Sequence, residues 1–373
     1  MSRRLRVGVD FHTFDGIFQG SRSHVLGIYK EAIKQAPDID FYFFLKDTER
    51  LRTEHAEFRC ANVKLVEIQN RSGFWRFMIQ LPWLQIRYRL NILHTQYRIP
   101  LIPVGACACT IHDVLFETHP QYFPRSFVLQ AKLTSRHSTR LAAMLFSVSE
   151  YSRGEISRLY GISEEEISVT YNGVDHTRFR PALADSECLS TYDLISKDYI
   201  LSVGRLEPRK NHQTLIRAYA RLPQPRPPLV ILGQRDFSYA GIYSEVTRLG
   251  LLNDVHFLDN VNDNDLPVIL RHASLFIFPA FAEGFGMPVA EAMASGVPVI
   301  ASNTTSIPEV TGGAALLIDP NSEEAITEAI MRMLDDVHLV SKLIEHGIVQ
   351  AKRFNWGASA QSMIQRYRQL QRS

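Results

Sequence analysis

The amino-acid sequence predicts an α/β protein made of two Rossmann-like domains. Three features carry this reading. Short apolar, β-branched runs alternate with helical patterns; the alternation breaks after Pro181 and then restarts; and 373 residues, 45% hydrophobic and 21% charged, suffice for two full cores. Repeating strand–helix units imply parallel sheets that receive ligands at the carboxyl ends of their strands.

In chain order, the first strands are expected at Leu5–Asp10, Phe41–Leu45, Val63–Ile68, Ile92–His94, Cys107–Ile111 and Met144–Val148, with helices between. Among these helices, Phe74–Leu90 is rich in aromatics and arginine, as interfacial membrane helices are. It runs straight into the Ile92–His94 strand, so the packed helix of a strand–helix unit is the better reading. Residues 181–197 are irregular and are expected to be the linker. A second series follows at Tyr199–Val203, Leu229–Leu232, Val255–Leu258, Leu275–Phe278, Val297–Ala301 and Leu316–Ile318. The domains are accordingly placed at 1–181 and 182–356, and Pro223–Pro228 is a tight connector.

Composition limits the function classes. A formal charge of +2 argues against wholesale nucleic-acid binding. Through Arg180 there are 24 Lys and Arg against 18 Asp and Glu, and beyond it 17 against 21. The basic half suits a lipid diphosphate acceptor or an anionic membrane surface. No apolar run approaches the ~20 residues of a spanning helix, and Met1–Asp10 leads directly into a strand, so neither signal peptide nor anchor is expected. Cys60, Cys107, Cys109 and Cys188 show no metal-ligand spacing and read as core thiols of a reducing, cytoplasmic setting.

The most informative stretch is Glu283-Gly-Phe-Gly-Met-Pro-Val-Ala-Glu291. Gly284 and Gly286 permit close backbone approach, Pro288 suits a first helical turn, and the N–H groups exposed there can bind phosphate. At ~1.5 Å per residue the two carboxylates stand up to about 12 Å apart, enough to grip a nucleotide sugar at two points. Two glutamates alone fit a bland reading equally well, with Glu283 in a solvated loop and Glu291 on the polar face of a helix. The apolar run that follows Glu291 turns it toward the interior, where a carboxylate needs a partner. After the first strand of the second domain, Arg205 and Lys210 form a cation pair suited to a diphosphate. Asp263-Asn-Asp265 and Asp38-Ile-Asp40 match a divalent-cation spacing, but Asp265 reads as a helix N-cap and Asp38–Asp40 as a turn before a strand, so no metal is expected. No Gly-x-Gly-x-x-Gly is present, which argues against a nicotinamide dehydrogenase.

With Gly20-Ser-Arg-Ser-His24, Ile111-His-Asp113, Ser147–Ser152, Asn172-Gly-Val-Asp175 and Val203–Asn211, the Glu-x7-Glu stretch resembles the family 4 retaining glycosyltransferases over essentially the whole chain. The resemblance implies a GT-B fold, two facing Rossmann-like domains with a deep cleft, and a terminal helix, 357–373, crossing back to the first domain. It implies that Glu283 orients the donor sugar, that Glu291 binds the ribose, and that Arg205 and Lys210 hold the diphosphate. Gly284, Phe285, Gly286 and Met287 would line the donor, and Val261 would hold the nucleobase by its backbone. Gly20 would admit the β-phosphate, and His112 would meet the sugar face; a structural histidine bonded to Asp113 is the alternative for His112. Arg22 and His24 suit acceptor contact or a helix face equally.

The function implied is a retaining, metal-independent transfer of a hexose to a hydroxyl of a lipid-linked or polysaccharide acceptor, without a cofactor. Arg205–Asn211 and Ile111–Pro120 resemble bacterial mannosyl- and rhamnosyltransferases of surface polysaccharide assembly, favouring GDP-mannose or a related GDP-sugar. The enzyme is expected in the cytoplasm, with a peripheral contact at the inner membrane. An epimerase-like enzyme of the same fold and a silent scaffold subunit are the competing readings.

Overall fold

The computed structural model describes residues 4–16, 20–69, 72–182, 186–236 and 239–372. The chain divides into two units, one running to Gly173 and resuming at Asn355, the other spanning Val174–Phe354.

In the first unit, β1 (Leu5–Asp10), β2 (Ile39–Leu45), β3 (Val63–Glu67), β4 (Ile92–Gln96), β5 (Ala106–Ile111), β6 (Met144–Ser147) and β7 (Ile167–Val169) form, among the described residues, a seven-stranded sheet in the order β3-β2-β1-β4-β5-β6-β7. Every pairing is parallel. Strands covered on both faces read as unbroken apolar runs, and β2 shows why. Phe41, Phe43 and Leu45 enter one core with Val7, Val9 and the helix Gly20–Gln35, while Tyr42 and Phe44 enter the other with Leu84 and Leu93. β7 escaped the sequence reading because it is only three residues long and follows three glutamates.

The second unit repeats the plan with β8 (Ile200–Val203), β9 (Leu229–Leu232), β10 (Val255–Leu258), β11 (Leu275–Phe278), β12 (Val299–Ser302) and β13 (Leu316–Ile318), ordered β10-β9-β8-β11-β12-β13. In each sheet the strand order reverses beside the first strand, between β1 and β4 and between β8 and β11. Such a reversal opens a crevice at the strand ends.

The expected linker is corrected. Chain from Val174 onward packs on the second unit: the Val174 amide donates to the Phe354 carbonyl at 3.0 Å, Phe179 and Leu189 are buried, and the Tyr192 hydroxyl bonds Asp265 at 2.8 Å. An irregular stretch with buried anchors is part of a domain. Residues 183–185 of that expectation lie outside the described residues. At the other end, the helix Trp356–Arg372 packs on Gly20–Gln35 and contributes Met363, Ile364 and Tyr367 to the first unit's core. Gly27 and Gly173 both face Trp356, and a Cβ on them would lie 2.3 and 2.5 Å from its ring. The indole therefore requires glycine at both positions.

Other expectations also change. Asp265 stands at an N-cap position, but its carboxylate receives Tyr192 instead of capping the helix. Asp263 pairs with Arg178 at 3.2 Å, Asp40 with Arg4 and Asp38 with Arg368. Only Cys107 and Cys109 are core thiols, since Cys60 is exposed and Cys188 half-buried. Phe74–Leu90 is two-sided around a widened π turn at Arg76–Gln80: Phe77, Leu81 and Leu84 face the core, while Phe74, Ile79, Trp83 and Ile86 face outward.

Candidate active site

The second unit builds its site from the loops after β8 and β11. Asn211 takes a left-handed conformation, φ 62°, and its side-chain amide donates to the Pro279 carbonyl, tying the two loops together, and to the Pro320 carbonyl in the loop after β13. Between them lies a network of buried charge. Arg209 donates to Glu207 at 2.6 Å, to Glu283 at 2.8 Å and to the Ala282 carbonyl at 2.7 Å, and Lys210 donates to the same Glu283 oxygen. The Lys210 ammonium also lies 5.1 Å from the Phe278 ring centroid. Arg205 is more exposed and pairs with Asp236, with Glu207 at 3.6 Å.

These contacts set the protonation states. Burial would raise the Glu283 pKa, yet Arg209 and Lys210 outweigh it and hold the carboxyl below the usual carboxylate range. Burial lowers the Lys210 ammonium, with Glu283 opposing. The Glu283 backbone is fixed too, its N–H donating to the Thr305 hydroxyl at 3.0 Å and its carbonyl accepting from Ser306 at 2.9 Å.

From Glu283 the chain turns into the helix Met287–Ala294 through Gly286, whose φ of 98° favours glycine and whose Cβ would meet Ile307 at 2.5 Å. Pro288 occupies the first turn as expected. Phe285 is buried, and its ring packs edge-on against Phe354. Glu291 differs sharply from Glu283. Burial pushes its carboxyl up to about 8, with Arg178 opposing and Asp263 adding to the rise. No hydrogen bond or ion pair to its carboxylate occurs among the described residues. Val261 follows β10 after Asn260, which is left-handed at φ 55°.

In the first unit, His112 leaves the end of β5. Its Nε2 bonds the Gln96 side-chain oxygen at 2.7 Å and its carbonyl accepts from Ser152 at 2.9 Å. Asp113 is not its partner; that carboxylate accepts from the Leu115 amide and the Tyr97 hydroxyl. His24 is buried, bonded to Asn172 at 2.8 Å and edge-on to His112 at 4.8 Å, and burial brings its pKa to about 4. The acceptor reading for His24 gives way to an interior position beside His112. Arg22 lies over the Phe14 ring at 4.8 Å and 3.9 Å from Glu54, which suits a helix face. An added Cβ on Gly20 would meet nothing within 4 Å among the described residues, so nothing there demands glycine at this position.

Lys210 and Glu283 are thus joined directly, Arg205 stands beside them through Glu207, and His24 and His112 touch. Glu207, Arg209, Asp236 and Gln96 were missed as site residues. The clue to the first two was charge crowded directly after an apolar strand.

Two family profiles match: "Glycosyl transferases group 1" over residues 195–350 and "Glycosyltransferase Family 4" over 18–178. O-antigen chain mannosyltransferase B of Escherichia coli is 36% identical over 269 residues, 70% of each chain. O-antigen chain mannosyltransferase RfbU of Salmonella typhimurium is 28% identical over 256 residues, 66% of this chain and 67% of that protein. Among solved structures, Anabaena HepE, in complex with UDP and glucose, superposes with a TM-score of 0.78 at 19% identity, covering 97% of this chain and 99% of that one. A Rickettsia africae glycosyltransferase gives 0.76 at 17%, covering 98% of each. At such identities these two structures speak for the fold alone.

Proposed function

Because the chain belongs to glycosyltransferase family 4, with its GT-B fold of two Rossmann-like domains, we propose that it transfers mannose from GDP-mannose, with retention, to a hydroxyl of a lipid-linked or polysaccharide acceptor in cell-surface glycan synthesis. The sugar rests on the relatives' names. The observation that carries the donor site is the buried Glu283, kept ionised by Arg209 and Lys210 beside the Gly284–Met287 turn.

In this reading Glu283 accepts hydrogen bonds from sugar hydroxyls, Glu291 takes the ribose, and Val261 supports the base. Arg205 and Lys210 bind the diphosphate and stabilise the charge that grows on it, supplying in side chains what other enzymes take from a metal. The bond from the anomeric carbon to the β-phosphate oxygen breaks, the acceptor oxygen bonds that carbon on the same face, and its proton passes to the departing phosphate. Gly20 leaves room for the β-phosphate.

A peripheral membrane contact belongs to the same proposal. Between Glu67 and Glu150 the only acidic residues are Asp113 and Glu117, against nine Lys and Arg. Phe74, Ile79, Trp83 and Ile86 are exposed in this stretch, as are Leu129 and Leu133 of the helix Arg125–Leu141. A basic surface with outward apolar side chains suits an anionic bilayer. No described helix is long and apolar enough to cross one.

The test is thermal stabilisation by UDP, GDP, dTDP and ADP, followed by turnover of matching donors with and without EDTA. Ligand at ~100 times its dissociation constant adds about 2.7 kcal/mol. A GDP-selective shift with EDTA-resistant glycoside formation supports the reading. Free-sugar release or epimerisation without a new glycoside redirects it, and silence toward every nucleotide leaves a scaffold.

A further inference from the structure

We propose that Gln96 is a positioning residue for the donor sugar: its amide oxygen pins His112 in the tautomer that carries its proton on Nε2, leaving Nδ1 to accept a hydrogen bond from a sugar hydroxyl. The inference rests on the placement of His112 at the sugar face, and it adds what that placement lacks, the polarity of the contact.

Gln96 is the last residue of β4 and His112 follows the last residue of β5, neighbouring parallel strands in which Gln96 stands beside Thr110. Both side chains are buried. The Gln96 oxygen lies 2.7 Å from His112 Nε2, and its nitrogen points the other way, donating to the Thr13 hydroxyl at 3.4 Å. An amide oxygen only accepts, so the ring nitrogen facing it must donate. The ring cannot turn over freely. Tyr97 lies against it at 5.1 Å and 33°, His24 stands edge-on at 4.8 Å, and Ser152 holds the backbone carbonyl.

The titratable groups around the ring are His24 from the first helix, His94 from β4, and Tyr97 and Asp113 at the ends of β4 and β5. Burial, reinforced by His24 and His94, holds the imidazole well below its usual pKa, so the ring is neutral with one N–H and one lone pair. Gln96 decides which nitrogen has which. His24 shows the same device with the opposite outcome: Asn172 takes its Nδ1 at 2.8 Å and leaves Nε2 as the lone pair. An acceptor nitrogen at the sugar face selects a donor that presents a hydroxyl there, and a sugar lacking that hydroxyl leaves the lone pair unmet.

The experiment uses the full chain with its donor and acceptor. In wild-type protein, long-range proton–nitrogen correlation on ¹⁵N-histidine is expected to show the His112 proton on Nε2; a proton on Nδ1 overturns the proposal without any variant. Gln96→Glu keeps an acceptor at the same place but favours the imidazolium, whose Nδ1 becomes a donor. Its kcat/KM should lie roughly tenfold below wild type at mildly acidic pH, the size of one lost hydrogen bond, and recover as pH rises. Gln96→Leu should lose a similar factor without that pH dependence. In a His112→Ala background both Gln96 changes should be silent. If His112→Ala is impaired while Gln96→Glu follows the wild-type pH profile, the Gln96 proposal falls alone. If His112→Ala turns over like wild type, the His112 assignment falls and takes the proposal with it.

Discussion

Replacing Arg209 with leucine is expected to destabilise the second unit by about 3 kcal/mol. Removing one partner of a buried ion pair costs ~3–5 kcal/mol because the other charge stays buried and uncompensated. Arg209 serves two buried carboxylates, which pushes the figure up, but each keeps a second cation: Glu283 retains Lys210, and Glu207 retains Arg205 at 3.6 Å. The lower end of the range is therefore appropriate. In a unit of this size 1 kcal/mol moves the midpoint by about 2–4 °C, so its calorimetric transition should fall by roughly 6–12 °C. The pH dependence has a definite sign. Glu283 is depressed in the folded protein, so its contribution is full above its unfolded pKa, about 4.3, and is lost as pH falls through the lower folded value. The gap between variant and wild type should be widest near neutrality and narrow in acid. Lys210→Met is the contrast: Glu283 keeps Arg209 and a buried ammonium disappears, so the midpoint should stay within a few degrees while turnover falls by ~10²–10³. An Arg209→Leu midpoint within 2 °C of wild type, or a gap that widens in acid, would show the reasoning about this network to be mistaken.

Three further outcomes are expected. Glu291, raised to about 8 in the ligand-free protein, binds a proton when folded that it has lost when unfolded between its unfolded pKa and 8, so it erodes stability as pH climbs through that window. Glu291→Gln should flatten that decline in melting scans from pH 5 to 9, while lowering nucleotide affinity about tenfold by titration calorimetry. Gly20→Ala opens a helix and meets no neighbour among the described residues, so its melting temperature should match or slightly exceed wild type while donor turnover drops at least tenfold; unchanged turnover removes Gly20 from the site. Gly286→Ala forces a Cβ to 2.5 Å from Ile307 at a φ of 98° and should cost about 1–3 kcal/mol by chemical denaturation; a smaller loss would mean that the turn relaxes.

Much of the fold was legible because parallel strands covered on both faces announce themselves as apolar runs, as β2 and β11 do. What stayed hidden was either short or irregular. β7 is too brief to show a period, and the chain after Val174 looks like a linker until Leu189 and Phe179 are seen buried. At the site, the motif residues of the second unit were legible from glycine, proline and charge in fixed order. The partners were not, because they are brought from other loops by the sheet: Asp236 lies after β9 and Gln96 on β4. His24 shows the limit from the other side. A histidine on a helix gives no hint of which face it occupies, and only packing against Asn172, Trp356 and His112 turned it inward.

The division of labour in the charged loop follows from its balance. Arg205, Arg209 and Lys210 face Glu207, Asp236 and Glu283, three cations against three anions, so the ligand-free site is already neutral. A diphosphate adds negative charge to it and can be held only by cations able to change partners. Arg209 is poorly placed to do so, since it grips Glu207, Glu283 and a carbonyl at once. Arg205 is the most exposed of the three, and Lys210 has its ammonium on a flexible stem beside the aromatic face of Phe278. If these two swing to the phosphates, Arg209 alone keeps Glu283 ionised and aimed at the sugar. Donor binding should therefore fail differently in the two classes of variant. Loss of Arg205 or Lys210 should weaken GDP itself, whereas loss of Arg209 should leave GDP affinity within about threefold of wild type and penalise the intact nucleotide sugar. Titrations with GDP and with a non-hydrolysable GDP-sugar separate the two, and equal penalties for both ligands in Arg209→Leu would sink the argument.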